Sequence, residues 1–118
     1  MDEKSLSFVT QLLEKTQQGK LTWTTGFEDG QFKTILPGGK LAFVVQVKGE
    51  VHKFRMLDEH QETILEEIIT KADTDAEPAH HPKLQIYLSI GKLQKQARLQ
   101  ALQVNEKLKN AEKLLATI

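Results

Sequence analysis

The apolar positions of this chain change period twice, and each change marks a change of element. Near the start Leu6, Val9 and Leu13 recur at steps of three and four, with Phe8 and Leu12 beside them, the spacing of one helical face. A helix over residues 3–18 is predicted. Asp2 and Ser5 are its candidate caps, because either side-chain oxygen accepts an amide left unpaired in the first turn. Gly19 can take the left-handed conformation that ends it. From Leu21 the period becomes two. Leu21 and Trp23 alternate with Thr22 and Thr24, a pattern that suits a pleated, half-buried surface. Asp29-Gly30 is a turn, followed by a strand from Phe32 to Leu36. Pro37-Gly38-Gly39 breaks the chain again. Leu41, Phe43, Val45 and Val47 then fall on one face and Ala42 and Val44 on the other, so this strand belongs at the centre of its sheet. Lys48-Gly49 fits a tight hairpin turn into a return strand from Glu50 to Leu57, with His52, Phe54 and Met56 on its buried face.

Residues 61–70 fit two patterns. Ile64, Leu65, Ile68 and Ile69 have the spacing of a helical stripe, yet they follow a short turn-like stretch, Asp58 to Gln61, directly after a strand. A hairpin partner for residues 50–57 is as economical, and the strand is preferred. Asp73 to His81 reads as a polar linker. Pro82 suits the first turn of a helix, where its missing N–H is no loss. Ile86, Ile90, Leu93, Ala97 and Ala101 trace the apolar stripe of that helix, with Gly91 its one weak point. Asn105 resembles the cap of a last helix carrying Leu108, Ala111, Leu114, Leu115 and Ile118. The expected architecture is α+β: an N-terminal helix, a meander of four or five antiparallel strands, and two C-terminal helices in one domain spanning 1–118.

Composition adds limits. The length of 118 residues suits one domain, and 39% apolar with 27% charged residues is ordinary for a folded chain. There is no cysteine, which removes disulfides, thiolate metal sites and cysteine nucleophiles. No apolar run approaches the ~20 residues of a membrane span. Met1-Asp2-Glu3-Lys4 lacks the basic-then-apolar order of a secretory signal, so a cytoplasmic protein with no membrane partner is expected. Net charge is zero but unevenly spread. Residues 1–56 carry eight Lys/Arg against six Asp/Glu, 57–77 one against eight, and 83–118 seven against two.

Three passages carry a resemblance. Phe8 to Thr16 runs into a strand through Gly19, Lys20, Leu21, Thr22 and Trp23. Phe54 to Glu59 is followed by Ile64 to Ile68. Arg98 to Leu102 leads into Val104, Asn105, Glu106 and Lys107. In this order the chain resembles a set of short, largely uncharacterised bacterial and phage-associated proteins. The resemblance implies a helix, a meander of strands with a hairpin at 61–70, and C-terminal helices. It supplies no catalytic residue, and Gln61 stands where the look-alikes often place glycine in the hairpin turn.

Candidate chemistry is sparse. His80 and His81 with Asp73, Asp75 and Glu77 are a metal-ligand set by residue type, but they sit in a linker rather than on rigid elements. Glu66 and Glu67 are neighbours, which a strand sends to opposite faces. Gly38-Gly39 is followed by no Lys-Ser/Thr and opens no helix, so it is no phosphate cradle. No catalytic residue, metal or cofactor is therefore expected. The surfaces are more informative. Lys92, Lys95 and Arg98 advance by three and sweep one side of a helix, a face able to lie along phosphates. Trp23 is a possible interface anchor or a core residue. The last helices carry more aliphatic positions than a small sheet face needs, which marks a homodimer or a docking site. Across such an interface the acidic 57–77 region, with Glu62 and Glu66, would complement the basic 83–118 region. The preferred expectation is a non-enzymatic protein–protein interaction module, an immunity, antitoxin or phage-defence accessory protein by analogy. A nucleic-acid-associated protein using Lys92, Lys95 and Arg98 comes second, and a small-molecule sensor third.

Overall fold

In the computed structural model, which describes residues 2–78 and 81–118, the first helix, α1 (Asp2–Gln17), ends where the sequence supplies a glycine. Gly19 sits at φ +72°. Its N–H donates to the Thr16 carbonyl at 3.0 Å, and the Lys20 N–H donates to the Lys15 carbonyl at 2.9 Å. This pair of bonds closes a helix through a left-handed residue, a conformation that a residue without Cβ adopts at little cost. Ser5 is no cap. It lies inside the helix, buried, and its hydroxyl donates to Glu67 Oε1 at 2.9 Å. The other cap candidate, the Asp2 side chain, falls outside the described residues.

Five strands follow: β1 (Trp23–Thr25), β2 (Gln31–Ile35), β3 (Ala42–Lys48), β4 (Val51–Leu57) and β5 (Thr63–Thr70). Each pairs antiparallel with the next, in spatial order β1-β2-β3-β4-β5. β3 is the middle strand and is buried on both faces from Ala42 to Gln46. Residues 63–70 are a strand, as preferred. The turn before them tolerates Gln61 at φ +66° because Asp58 holds it: the carboxylate Oδ1 accepts the His60 N–H at 2.9 Å and the Glu62 N–H at 3.0 Å. At the β1–β2 turn glycine is required, since a Cβ on Gly30 would run into the Val47 carbonyl oxygen.

The register assigns the two faces. Trp23, Thr34, Phe43 and Met56 line up across β1 to β4, followed by Phe32, Val45 and Phe54, all toward the helices. His52, Phe54 and Met56 share that face, with Phe54 fully buried and the other two half-buried. The rings of Phe43 and Phe54 stack at 5.6 Å, and Phe8 of α1 tilts onto Phe43 at 5.9 Å. Trp23 is fully buried, and its indole N–H donates to Thr16 Oγ1 at 2.9 Å.

Two segments differ from expectation. The linker is partly structured: α2 (Lys71–Asp75) follows β5 directly, capped by Thr70. The Asp73 N–H donates to Thr70 Oγ1 at 3.1 Å and the Thr70 N–H donates to Asp73 Oδ2 at 3.0 Å, a reciprocal pair that nucleates the turn. The two C-terminal helices are joined as one, α3 (Pro82–Ala116), which runs through residue 105 without a break. No glycine or proline lies between Gly91 and Ala116, so nothing forces an interruption. His81 caps α3, its Nδ1 accepting the Lys83 N–H at 3.1 Å, and Pro82 takes the first helical position as predicted.

Both long helices cross the same face of the sheet in the same direction. α1 starts over β5, where Ser5 meets Glu67, and ends at β1, where Thr16 meets Trp23. α3 enters over β4, where the His52 and Tyr87 rings stack, and reaches β1 at Gln100. There α1 stops and α3 does not. At 1.5 Å per residue α3 is about 52 Å long, which accounts for a molecule extended 60 Å along one axis and only 28 and 26 Å along the others.

Candidate functional site

The overhang of α3 beyond β1 is the most distinctive surface of the molecule. Inside the body the stripe Ile86, Ile90, Leu93, Ala97 and Ala101 is buried against the sheet and α1. Eighteen residues make five helical turns at 3.6 residues each, so Leu108 lies in phase with Ile90, Ala111 with Leu93 and Leu115 with Ala97. The overhang, residues 102–116 with Thr117 and Ile118 beyond the helix end, thus presents the same apolar face with nothing beneath it among the described residues. Leu108 is 59% exposed, Leu114 67%, Leu115 72% and Ile118 100%. An isolated amphipathic helix of this length is marginal in water, because most helical stability comes from packing the apolar face.

A second unpartnered surface lies on the far side of α1 from α3. There the ends of β2, β3 and β5 leave an apolar groove of about 340 Å³ lined by Phe8, Leu36, Leu41, Phe43, Met56 and Ile64. Ile64 is 49% exposed. The β4–β5 turn at its end carries Asp58, Glu59 and Glu62. Sequence reasoning named the overhang's leucines and put Met56 on a buried strand face and Phe43 on a central strand, but it did not bring these residues together with Leu36, Leu41 and Ile64 as a groove. Leu41 and Ile64 sit just inside turns, at strand ends, and that position was the available signal.

Among the described residues the other face of the sheet carries no helix. Ala42, Val44 and Leu57 form a small apolar cluster there, and Lys33, Val44, Arg55 and Glu66 follow one another across the strands. A cleft of about 530 Å³ opens between this face and the loop carrying Phe27.

The residues singled out in the sequence scatter over these surfaces. Lys92, Lys95 and Arg98 are exposed on the outer side of α3, and among the described residues none has a carboxylate within 4.0 Å. Glu62 lies in the β4–β5 turn, Glu66 on the helix-free sheet face opposite Arg55, and Glu67 on the helix side. Trp23 is core, so it offers nothing to a partner. Of the linker set, His80 lies outside the described residues. Asp73 and His81 serve as caps, and His81 Nε2 is 3.7 Å from Glu77 Oε2. The hydrogen bonds from the Thr70 backbone and side chain hold the Asp73 carboxyl below its ordinary value. Among the described residues no helix is long and apolar enough to cross a membrane. Comparison with protein-family models, with curated proteins and with solved structures returns no match.

Proposed function

We propose that this chain is a non-enzymatic protein–protein interaction module whose docking element is the overhanging arm of α3. The observation that supports this reading is the arm itself. Leu108, Leu114 and Leu115 stand more than half exposed on a helix that has left its own core, and Ile118 is exposed just past its end. Apolar helical surface of this kind fits a partner with an apolar groove, engaged through anchors at helical spacing. Several of the chain's titratable side chains also have local structural work that suits this reading. His52 Nδ1 donates to the Tyr87 carbonyl at 2.7 Å, His81 and Asp73 cap helices, and Asp58 holds a turn. The test is a photo-crosslinking residue at position 115, with position 38 in the β2–β3 turn as control, in cells of the native host. Adducts specific to position 115 are expected. Equal or no crosslinking at the two positions defeats the reading.

A second reading, association with nucleic acid along the outer face of α3, is favoured by one observation. Lys92, Lys95 and Arg98 are exposed together without carboxylate partners among the described residues.

A further inference from the structure

We infer that the arm of α3 docks in the groove beside α1 of a second copy of this chain, and that two copies exchange arms about a two-fold axis. The inference rests on the arm being a docking element and names its partner. The chain itself carries both complementary surfaces. The arm offers Leu108, Ala111 and Leu115 at steps of three and four, the anchor spacing of a helix laid in a groove, with Ile118 just past the helix end. The groove is apolar and lined by strand ends and the flank of α1.

Placement makes the exchange reciprocal. α3 and the groove lie on opposite sides of α1, and α1 and α3 both run from β5 toward β1. The arm leaves the body across the β1 edge with its apolar stripe still turned toward the sheet side, by the eighteen-residue phase described above. A second copy set across that edge, rotated by a two-fold axis normal to the sheet, brings its own groove under this arm and its own arm over this groove. The helical part of the arm, residues 102–116, spans about 22 Å, close to the ~20 Å width of five strands spaced about 4.8 Å apart. Arms paired face to face in parallel are excluded, because each body occupies the stripe side of its own α3, where the partner helix would have to lie. Strand pairing between the two β1 edges is opposed as well, since Gln100 already bonds Leu21 and Trp23 there.

Charge agrees with this partner. The β4–β5 turn at the end of the groove holds Asp58, Glu59 and Glu62. The arm carries Lys107, Lys109 and Lys113 against Glu106 and Glu112, so its side chains are net basic while the turn is acidic. Opposite charges at such a rim favour the correct partner and speed its capture.

The test is mass in solution by sedimentation and light scattering over a concentration series, followed by mixing. The full chain is expected at twice 13.4 kDa. An arm variant, L108E/L115E, and a groove variant, I64E, are each expected to be monomeric with unchanged circular dichroism, since all three positions are exposed. Mixed in equal amounts they are expected to form a heterodimer, because one intact arm then meets one intact groove. A full chain that stays monomeric at every concentration overturns the inference. So does a dimer that survives either variant, or a mixture that stays monomeric; an I64E variant that remains dimeric while L108E/L115E is monomeric is the signature of arm-to-arm pairing. A monomeric chain that still crosslinks to another protein from position 115 leaves the docking role of the arm standing while removing the second copy.

Discussion

Gln100 on α3 closes the outer edge of β1 by accepting the Trp23 N–H on its side-chain oxygen. The same amide donates from Nε2 to the Leu21 carbonyl at 2.7 Å, so one side chain makes the two bonds that a neighbouring strand would make. It is also the last hydrogen-bonded tie of α3 to the sheet before the arm among the described residues. A three-residue edge strand presents backbone groups that other chains can pair with, and covering them is a general protection against edge-to-edge association.

Replacing Gln100 with Leu keeps the volume and removes both bonds. Each unsatisfied, part-buried backbone group costs about 1–3 kcal/mol. A loss of about 2 kcal/mol in denaturant unfolding is expected, with markedly faster hydrogen exchange at the Trp23 amide. Unchanged protection of that amide would show that the edge is held some other way.

Gly91 stands in the middle of α3, where Gly→Ala normally stabilises by about 1 kcal/mol. Here a Cβ would lie 3.1 Å from His52 Cε1, and that ring is pinned, stacked on Tyr87 at 3.7 Å with Nδ1 bonded to the Tyr87 carbonyl. Gly91→Ala is therefore expected to be neutral or destabilising. In a His52→Ala background, the same substitution is expected to stabilise by about 1 kcal/mol. Denaturation of the four proteins of this cycle checks the sign, and equal stabilisation in both backgrounds would remove the contact as the reason for glycine.

The apparent weak point of α3 thus has a tertiary cause that periodicity does not reveal. Much of the rest was legible. The two-faced apolar pattern of residues 41–47 placed β3 at the centre, and Gly19 marked the end of α1. The joining of the C-terminal helices was less so. Asn105 has the chemistry of a cap, but a cap ends nothing unless the chain on either side turns away, and the in-phase leucines at 108 and 115 prolong the same stripe. Thr70 and Asp73, three residues apart, are a capping-box signature that the polar composition of residues 73–81 concealed. Whether an apolar face is covered depends on where the sheet beneath it ends. That is why the surplus of leucines in the last helices was readable from sequence, whereas the place where α3 leaves the sheet and the groove beyond α1 were not.

The capping box of α2 gives a pH dependence with a definite sign. The Asp73 carboxyl is held below 3.8, first by the Thr70 backbone N–H and then by its side chain. A lowered folded value means that the stabilisation is present above the unfolded value and is lost as pH falls through the folded one. An NMR titration should place Asp73 below 3.8. Protection of the α2 amides should fall over the same acidic range, and Asp73→Asn should abolish that dependence. A titration at or above 3.8 would exclude the bond as a determinant of the turn.

The outer face of α3 separates the two functional readings, because it points away from the stripe that the arm presents. In the triple variant K92E/K95E/R98E the charge of that face reverses while Leu108, Leu115 and the groove are untouched. If the module works through its arm, this variant keeps the mass and the position-115 crosslinks of the unmodified chain. If the face binds phosphates, the unmodified chain is retained on heparin at low salt with a steep salt dependence, and the variant is not. Retention that disappears in the variant, together with unaltered arm crosslinking, would assign the two faces of one helix to two different partners. Loss of the crosslinks in the variant would instead show that the arm's docking depends on charge carried by the body of α3, and would move the interface from the stripe to the outer face.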